Sequence, residues 1–357
     1  MKVAQITKPH HFELVDLPEL QAHDEFVVLK VLSTPMCSEY RQFKSGLTVS
    51  GLGHEAAGEV VEVASSSKVK VGDRVSIMAG DNSCGVCKFC QSGYALHCQQ
   101  SIDSITQLIS SPQDDESFSS DVYTGTYNQY ITRPDWLLTP IPEEISIDHG
   151  SMMFCGLGPS FGALQEMKAA EGETVLMIGL GPVGLGGVIN TVHRRGHAIG
   201  LDPNPYRRQL ASDLGAMAVL DPSEEGTLEQ IMDLTKGIGV DAAVDCSSNN
   251  PAGIKLAVDA LGTKGRLGLL GGQYLDKSKD FIHFEIEKNF VFKGISVHGA
   301  WMYKNTEAPQ LMQVIRDSSS LLDKQITHRM PLSQAPVAFD LQSRGECGKI
   351  ILHPWDD

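Results

Sequence analysis

The stretch Gly179-Leu180-Gly181-Pro182-Val183-Gly184 limits the possible folds more than any other, because it joins an apolar run to a weakly charged helical segment. Thr174-Val175-Leu176-Met177-Ile178 supplies a strand before it, and a helix is expected from Val183 to about Arg194. His197-Ala198-Ile199-Gly200-Leu201 then reads as a second strand ending at Asp202. A strand, a three-glycine turn, a helix and a strand closed by an acid make the βαβ unit that seats a dinucleotide pyrophosphate. Gly179 permits the turn, Gly181 lets the backbone approach phosphate, and Gly184 lets helix and strand pack closely. The helix start at Pro182 and Val183 adds favourable partial charge.

Asp202 follows Gly184 by eighteen residues, where a carboxylate accepts hydrogen bonds from the adenosine ribose and repels a 2′-phosphate. NAD is therefore expected ahead of NADP, although Arg207 and Arg208 offer guanidinium groups to an extra phosphate.

With 357 residues, two lobes are a better expectation than one core. Before about Ile145 the chain shows short β-rich runs, among them Phe26 to Val31, Gly58 to Val63 and Asp73 to Ile77. That spacing suggests a barrel-like or partly open β domain. From about Glu173 strands alternate with helices, as in a doubly wound parallel α/β sheet, with further strands at Asp241 to Asp245 and Gly265 to Leu270. After about Ile295 strand character returns, ending in Lys349-Ile350-Ile351-Leu352, and this tail is expected to rejoin the first lobe. The expected division is 1–155 with 296–357, and 156–295, with reaction in the cleft between the lobes. Ser101 to Gly125 reads as an exposed loop, or as a lid over substrate.

Cys84, Cys87, Cys90 and Cys98 place four thiolates within fifteen residues, and Gly85 and Gly93 allow the tight turns around them. Four thiolates close a tetrahedral zinc shell and leave no place for water, so this is a structural site. An iron-sulfur cluster or reduced thiols are the alternatives. A second set is more open. Cys37, the pair His54-Glu55 and Cys155 offer about three ligands and one exchangeable position, as a catalytic zinc requires. Cys246 and Cys347 are left as free thiols.

Taken together, these features make the chain resemble the zinc-dependent medium-chain dehydrogenase/reductase family, in its alcohol and polyol dehydrogenase group. Gly53-His54-Glu55-Ala56-Ala57-Gly58, with Ala64 and Ser67, resembles that group's zinc signature. The four-cysteine run, Gly125-Thr126-Tyr127-Asn128-Gln129-Tyr130 and the glycine loop follow in the family's order. The resemblance implies a GroES-like catalytic domain, Cys37, His54 and Cys155 as zinc ligands, and Glu55 as an acid that approaches the metal during exchange. It also fits Arg207 to NAD use, and Lys349 to a basic position that either approaches the pyrophosphate or is solvated. Such a zinc acts as a Lewis acid on an alcohol while the nicotinamide accepts hydride.

The family's hydroxyl residue two positions after the first cysteine, and the aspartate after it, are absent from Cys37-Ser38-Glu39-Tyr40. Either the motif has slipped by one residue, or Ser38 or Glu39 handles the proton, with Glu39 also able to orient His54. A solvated Glu39 is the bland alternative. Asp245 and Cys246 are candidates for the nicotinamide wall. His298 is expected near the return to the first lobe, as a packed or surface residue ahead of one that lines the cleft.

The net charge of −15, from 29 basic and 44 acidic residues, argues against nucleic acid and anionic membrane partners. Residues 1–7 lack a signal-peptide core, and no apolar run approaches the roughly 18 residues of a membrane span. The expectation is a cytoplasmic homodimer or homotetramer holding two zinc ions per chain and acting on a small alcohol or carbonyl substrate. A sugar, polyol or amino alcohol is favoured over ethanol by family analogy alone. Rival readings are an NAD(P)H-dependent carbonyl reductase and a non-catalytic zinc and nucleotide-binding protein.

Overall fold

Phe26–Pro35, a run dominated by β-branched and aliphatic residues, forms the longest strand of the first unit, and the others gather around it. In the computed structural model, residues 1–64, 67–78, 83–101, 125–247, 250–271 and 282–356 are described. They divide into two compact units. One comprises Met1–Gly156, Lys304–Leu322 and Ile326–Asp357, and the other Leu157–Tyr303 with Asp323–Gln325.

The first unit opens with the hairpin β1 (Lys2–Lys8) and β2 (His11–Asp16). Its main sheet contains β3 (Phe26–Pro35), β4 (Ala57–Glu62), β5 (Arg74–Ile77), β6 (Tyr130–Pro134), β7 (Leu138–Pro140), and the late strands β14 (Ile326–Pro331) and β15 (Lys349–His353). The order is β14-β15-β3-β4-β5-β7, with β6 also on β3. Strand β3 therefore holds β4, β6 and the C-terminal strand β15 by antiparallel ladders. This is the GroES-like part of the fold. Gly58 permits the close approach of β4, since a Cβ there would stand 2.0 Å from the Lys30 carbonyl oxygen.

In the second unit, β8 (Thr174–Ile178), β9 (His197–Leu201), β10 (Ala218–Leu220), β11 (Val240–Asp245), β12 (Leu261–Leu269) and β13 (Ser296–Gly299) form one parallel sheet. The order β10-β9-β8-β11-β12-β13 is the doubly wound arrangement in which strand order reverses beside β8. The glycine loop leaves the carboxyl end of β8, at that reversal. Helices Pro182–His193 and Pro251–Ala260 cover the sheet, and Leu176, Ile178, Ile199, Val258 and Leu267 belong to its buried core.

The return to the first unit differs from the sequence expectation. Ser296–Gly299 pairs in parallel with β12 from Arg266↔Ser296 to Leu269↔Gly299, so it is the sixth strand of the second unit. The return to the first unit begins at Lys304, eight residues later than expected. His298 consequently lies on this edge strand, its Nε2 3.0 Å from Ser296 Oγ. Residues 102–124 of the expected loop or lid lie outside the described residues. Among the described residues, no helix is long and apolar enough to cross a membrane.

A charged staple fixes the C-terminal strand. His353 Nε2 lies 2.9 Å from Asp148 Oδ1 and its Nδ1 3.2 Å from Asp356 Oδ2, while Arg329 Nε donates to Asp148 Oδ2 at 2.6 Å. The Asp148 hydrogen bond raises the His353 pKa, so its stabilisation is full below the unfolded value of about 6.5 and is lost as pH rises through the raised folded value. Burial would lift Asp148, but His353 and Arg329 outweigh it and hold the carboxyl at about 2. Its contribution is present above the unfolded value of about 3.9 and lost as pH falls through about 2. We expect the urea midpoint to decline above pH 6.5, and to decline less in His353→Gln. Parallel pH curves for the two proteins would dismiss the staple.

Candidate active site

Strand β3 ends at Pro35 and β4 begins at Ala57, so the chain delivers Cys37 and His54-Glu55 beside the same end of the sheet. Gly53 adopts φ +83°, a left-handed conformation that turns the chain into His54. Cys155 comes from the π-helical turn Met153–Leu157, which follows the short helix Ile147–Ser151. The four side chains converge, with one ligand atom from each of Cys37, His54, Glu55 and Cys155 all within 4.8 Å of one another.

Burial in this cluster is uneven. Glu55 is wholly buried and Glu39 nearly so, whereas the His54 side chain keeps 39% of its accessible surface. The hydrogen bond between the two thiols sets Cys37 well below the ordinary thiol value, against burial and with help from His54, and pushes Cys155 up. The two sulfurs thus differ in their hold on a proton, Cys37 giving it up more readily than Cys155. A divalent cation satisfies such a pair better, because thiolates are its ligands and protons compete with it. Glu55 Oε2, buried and without a hydrogen-bond partner among the described residues, adds a further free donor atom. The donor set fits zinc.

Around these four lies a polar shell. Glu39 opens the helix Glu39–Ser45, and its Oε1 stands 2.8 Å from His54 Nδ1. Its Oε2 accepts from the Cys37 amide at 2.8 Å and from the Tyr127 hydroxyl at 3.2 Å. Glu39 is therefore not a solvated acid. Burial works to raise its pKa, but His54 overrides that and brings the carboxyl to about 2. Ser38 is the half-buried residue before this helix, with no capping bond from its side chain. Gln342, from the helix Ala335–Arg344, donates to the Cys37 carbonyl, and the Thr34 hydroxyl donates to the Glu55 carbonyl at 2.8 Å.

Lys349 departs from both expectations, approach to the pyrophosphate or solvation. It has no exposed surface and donates to Glu55 Oε1 at 2.5 Å. Glu55 overcomes the effect of burial and raises the lysine pKa, while burial lifts Glu55 itself to about 7. A lysine opening a strand whose next residues, Ile350, Ile351 and Leu352, are all apolar was the available signal of burial.

The four-cysteine run folds into a second cluster, again with sulfurs within 4.8 Å of one another. Cys87 Sγ lies 3.6 Å from Cys90 Sγ, and the Cys84 and Cys87 amides donate to Cys98 and Cys84 sulfurs at 3.4 and 3.3 Å. Positive φ at Gly85 and Gly93 produces the turns, and the His97 ring packs edge-on to Tyr94. Amides aimed at sulfurs stabilise thiolates, as a four-sulfur metal site requires.

In the second unit, Gly179 has φ +83° and a Cβ at Gly184 would meet the Gly179 carbonyl oxygen at 1.8 Å. A Cβ at Gly181 would meet nothing within 4 Å, leaving the space that a diphosphate needs. Pro182 and Val183 open the helix beside that space. Asp202 Oδ2 accepts from the Leu180 amide and Oδ1 from the Asn204 amide, both at 2.8 Å. Arg207 Nη1 lies 3.7 Å from Asp202 Oδ2, whereas Arg208 donates to Asp221 at 2.8 Å and to the Asp202 carbonyl at 2.7 Å. Asp245 ends β11, buried and lifted to about 6 by that burial, and bonded to Ser247. Burial also pushes the neighbouring Cys246 thiol up.

Residues 24–143 match the family described as alcohol dehydrogenase GroES-like domain, and residues 182–317 that described as zinc-binding dehydrogenase. The chain is 30% identical over 311 residues to L-threonine 3-dehydrogenase of Caldanaerobacter subterraneus, covering 85% of this chain and 82% of that one. It is 26% identical over 368 residues to sorbitol dehydrogenase of Bacillus subtilis, covering 99% and 97%. Among solved structures, alcohol dehydrogenase TADH from Thermus sp. ATN1 has the same fold, with a TM-score of 0.84 at 20% identity and 99% coverage of both chains.

Proposed function

Because the chain belongs to the zinc-dependent medium-chain dehydrogenase/reductase family, we propose that it moves hydride between an alcohol and NAD, using a metal centre on Cys37, His54 and Cys155. The observation that carries this reading is the convergence of those three ligands with Glu55, at a place where His54 stays accessible. A bound zinc supplies Lewis acidity that favours loss of the alcohol proton, and NAD supplies the hydride acceptor. The chain's own residues do the rest. Cys37, His54 and Cys155 hold the cation, Glu55 is the carboxylate free to approach it during exchange, and Glu39 orients the His54 ring. In this reading the motif has slipped by one residue, so the acid that serves the histidine is the second residue after the cysteine. Ser38 then takes the hydroxyl position that receives the alcohol proton.

A second zinc on Cys84, Cys87, Cys90 and Cys98 stabilises the fold. Gly179, Gly181, Pro182, Val183 and Gly184 hold the pyrophosphate, and Asp202 with Arg207 holds the adenosine ribose. A polyol, sugar or amino alcohol is the proposed substrate class, supported by relatives named for sorbitol and threonine. The chain is read as a cytoplasmic homodimer or homotetramer. In the described residues, the edge strand β13 has β12 alone as neighbour. The test is a metal count joined to an NADH absorbance screen over an alcohol panel. No turnover with any alcohol or carbonyl, by a protein loaded with two zinc ions, would leave only the non-catalytic reading.

The NAD preference has its own test. Both Asp202 oxygens already accept backbone amides, so a carboxylate stands where a 2′-phosphate would have to sit, while Arg208 is held by Asp221. We expect kcat/KM with NAD to exceed that with NADP by about 100-fold, roughly 2.8 kcal/mol, and Asp202→Ala to shrink the ratio at least tenfold. A wild-type preference for NADP would refute the assignment.

A further inference from the structure

We propose that Tyr127 is a positioning residue of the metal centre, fixing the orientation of the His54 ring through Glu39. The inference rests on the reading of Cys37, His54 and Cys155 as metal ligands.

Backbone contacts settle where Tyr127 sits. Its amide donates to the Leu52 carbonyl at 2.9 Å, its carbonyl accepts from Ala4 at 3.0 Å, and the side chain has no exposed surface. The ring lies against Gly53, where a Cβ would stand 2.4 Å from both Tyr127 Cδ1 and Thr126 Oγ1. Gly53 is thus required twice, by its φ of +83° and by the ring beside it.

At the far end of the ring, the hydroxyl donates to Glu39 Oε2 at 3.2 Å, an oxygen that also accepts the Cys37 amide at 2.8 Å. Two donors on one oxygen restrain the carboxylate, and its other oxygen is left 2.8 Å from His54 Nδ1. A carboxylate held this close to Nδ1 pairs with that side of the imidazole and leaves Nε2 as the ligand atom. Nε2 lies 4.0 Å from Glu55 Oε1, on the side of the cluster. One tyrosine therefore touches the backbone before His54 and the acid that orients its ring.

Packing alone does not explain the hydroxyl, because phenylalanine fills the same space without a buried polar atom that must be bonded. The test uses the full chain loaded with zinc, and the readout is release of each ion to a chromogenic chelator. Tyr127→Phe is expected to keep the wild-type melting curve and the ion of the four cysteines. The other ion is expected to leave about tenfold faster, at the lower end of the roughly 10–100-fold cost of losing an outer partner of a ligand. Glu39→Gln is expected to act likewise, and the double variant to fall short of the product of the two effects, since both act on one ring. Wild-type release from Tyr127→Phe, or fully multiplicative effects, overturns the proposal. So does loss of both ions together, which marks a role in folding. If the wild-type chain itself holds one ion, on the four cysteines alone, the ligand assignment fails and takes this inference with it.

Discussion

Cys37→Ser is expected to lower kcat by about a thousandfold or more while leaving the cofactor's binding constant within about threefold of wild type. Cys37, His54 and Cys155 belong to the first unit, and the glycine loop and Asp202 to the second, so the variant separates activation of the alcohol from cofactor capture. Loss of a Lewis acid worth several kcal/mol sets the size of the effect, because about 4 kcal/mol corresponds to roughly a thousandfold in rate. The variant is also expected to hold one zinc, against two expected for the wild type. Fluorescence titration with NADH, stopped-flow rates and metal counts on the same preparation check all three. A variant that keeps both its second ion and its turnover would remove the metal centre from the mechanism.

Lys349→Met is expected to destabilise the first unit by about 3–5 kcal/mol, the range for breaking a buried ion pair from one side. Its cause is the wholly buried Glu55 carboxylate, whose Oε1 has Lys349 as donor and whose Oε2 has no hydrogen-bond partner among the described residues. Removing the ammonium leaves a buried acid that must ionise at a high cost or take up a proton. Glu55→Gln in the same chain should recover most of the loss, because the pair is then replaced and not orphaned. Urea titrations of the two single variants and the double variant measure this. A Lys349→Met midpoint equal to that of wild type would contradict the buried pair.

Features governed by local sterics were the legible ones. The glycine loop announces itself because Gly179 needs a positive φ and Gly184 admits no Cβ, and both demands act within six residues. Strands β8 and β9 were bounded correctly because apolar runs between turn residues carry their own limits. The clustering of Cys37, His54, Glu55 and Cys155 followed from a motif, not from periodicity. What the sequence hid depends on distant partners. Lys349 meets Glu55 across 294 positions, and Tyr127 meets Glu39 across 88. Nothing in either neighbourhood says where the other end lies. Ser296–Gly299 misled for a related reason, since a four-residue strand looks the same whichever sheet it joins, and pairing with β12 decided the matter.

The first unit closes its sheet with β14 and β15, which follow the second unit in the chain. During synthesis, then, β3 emerges long before its neighbour β15, and Glu55 waits for a counter-ion encoded 294 positions downstream. The parallel sheet has all its strands by Gly299 and is free to consolidate while the other half is still incomplete. A ribosome stalled before residue 349 would hold a finished nucleotide-binding half and an unfinished, aggregation-prone metal-binding half, the state in which chaperone capture is most to be expected.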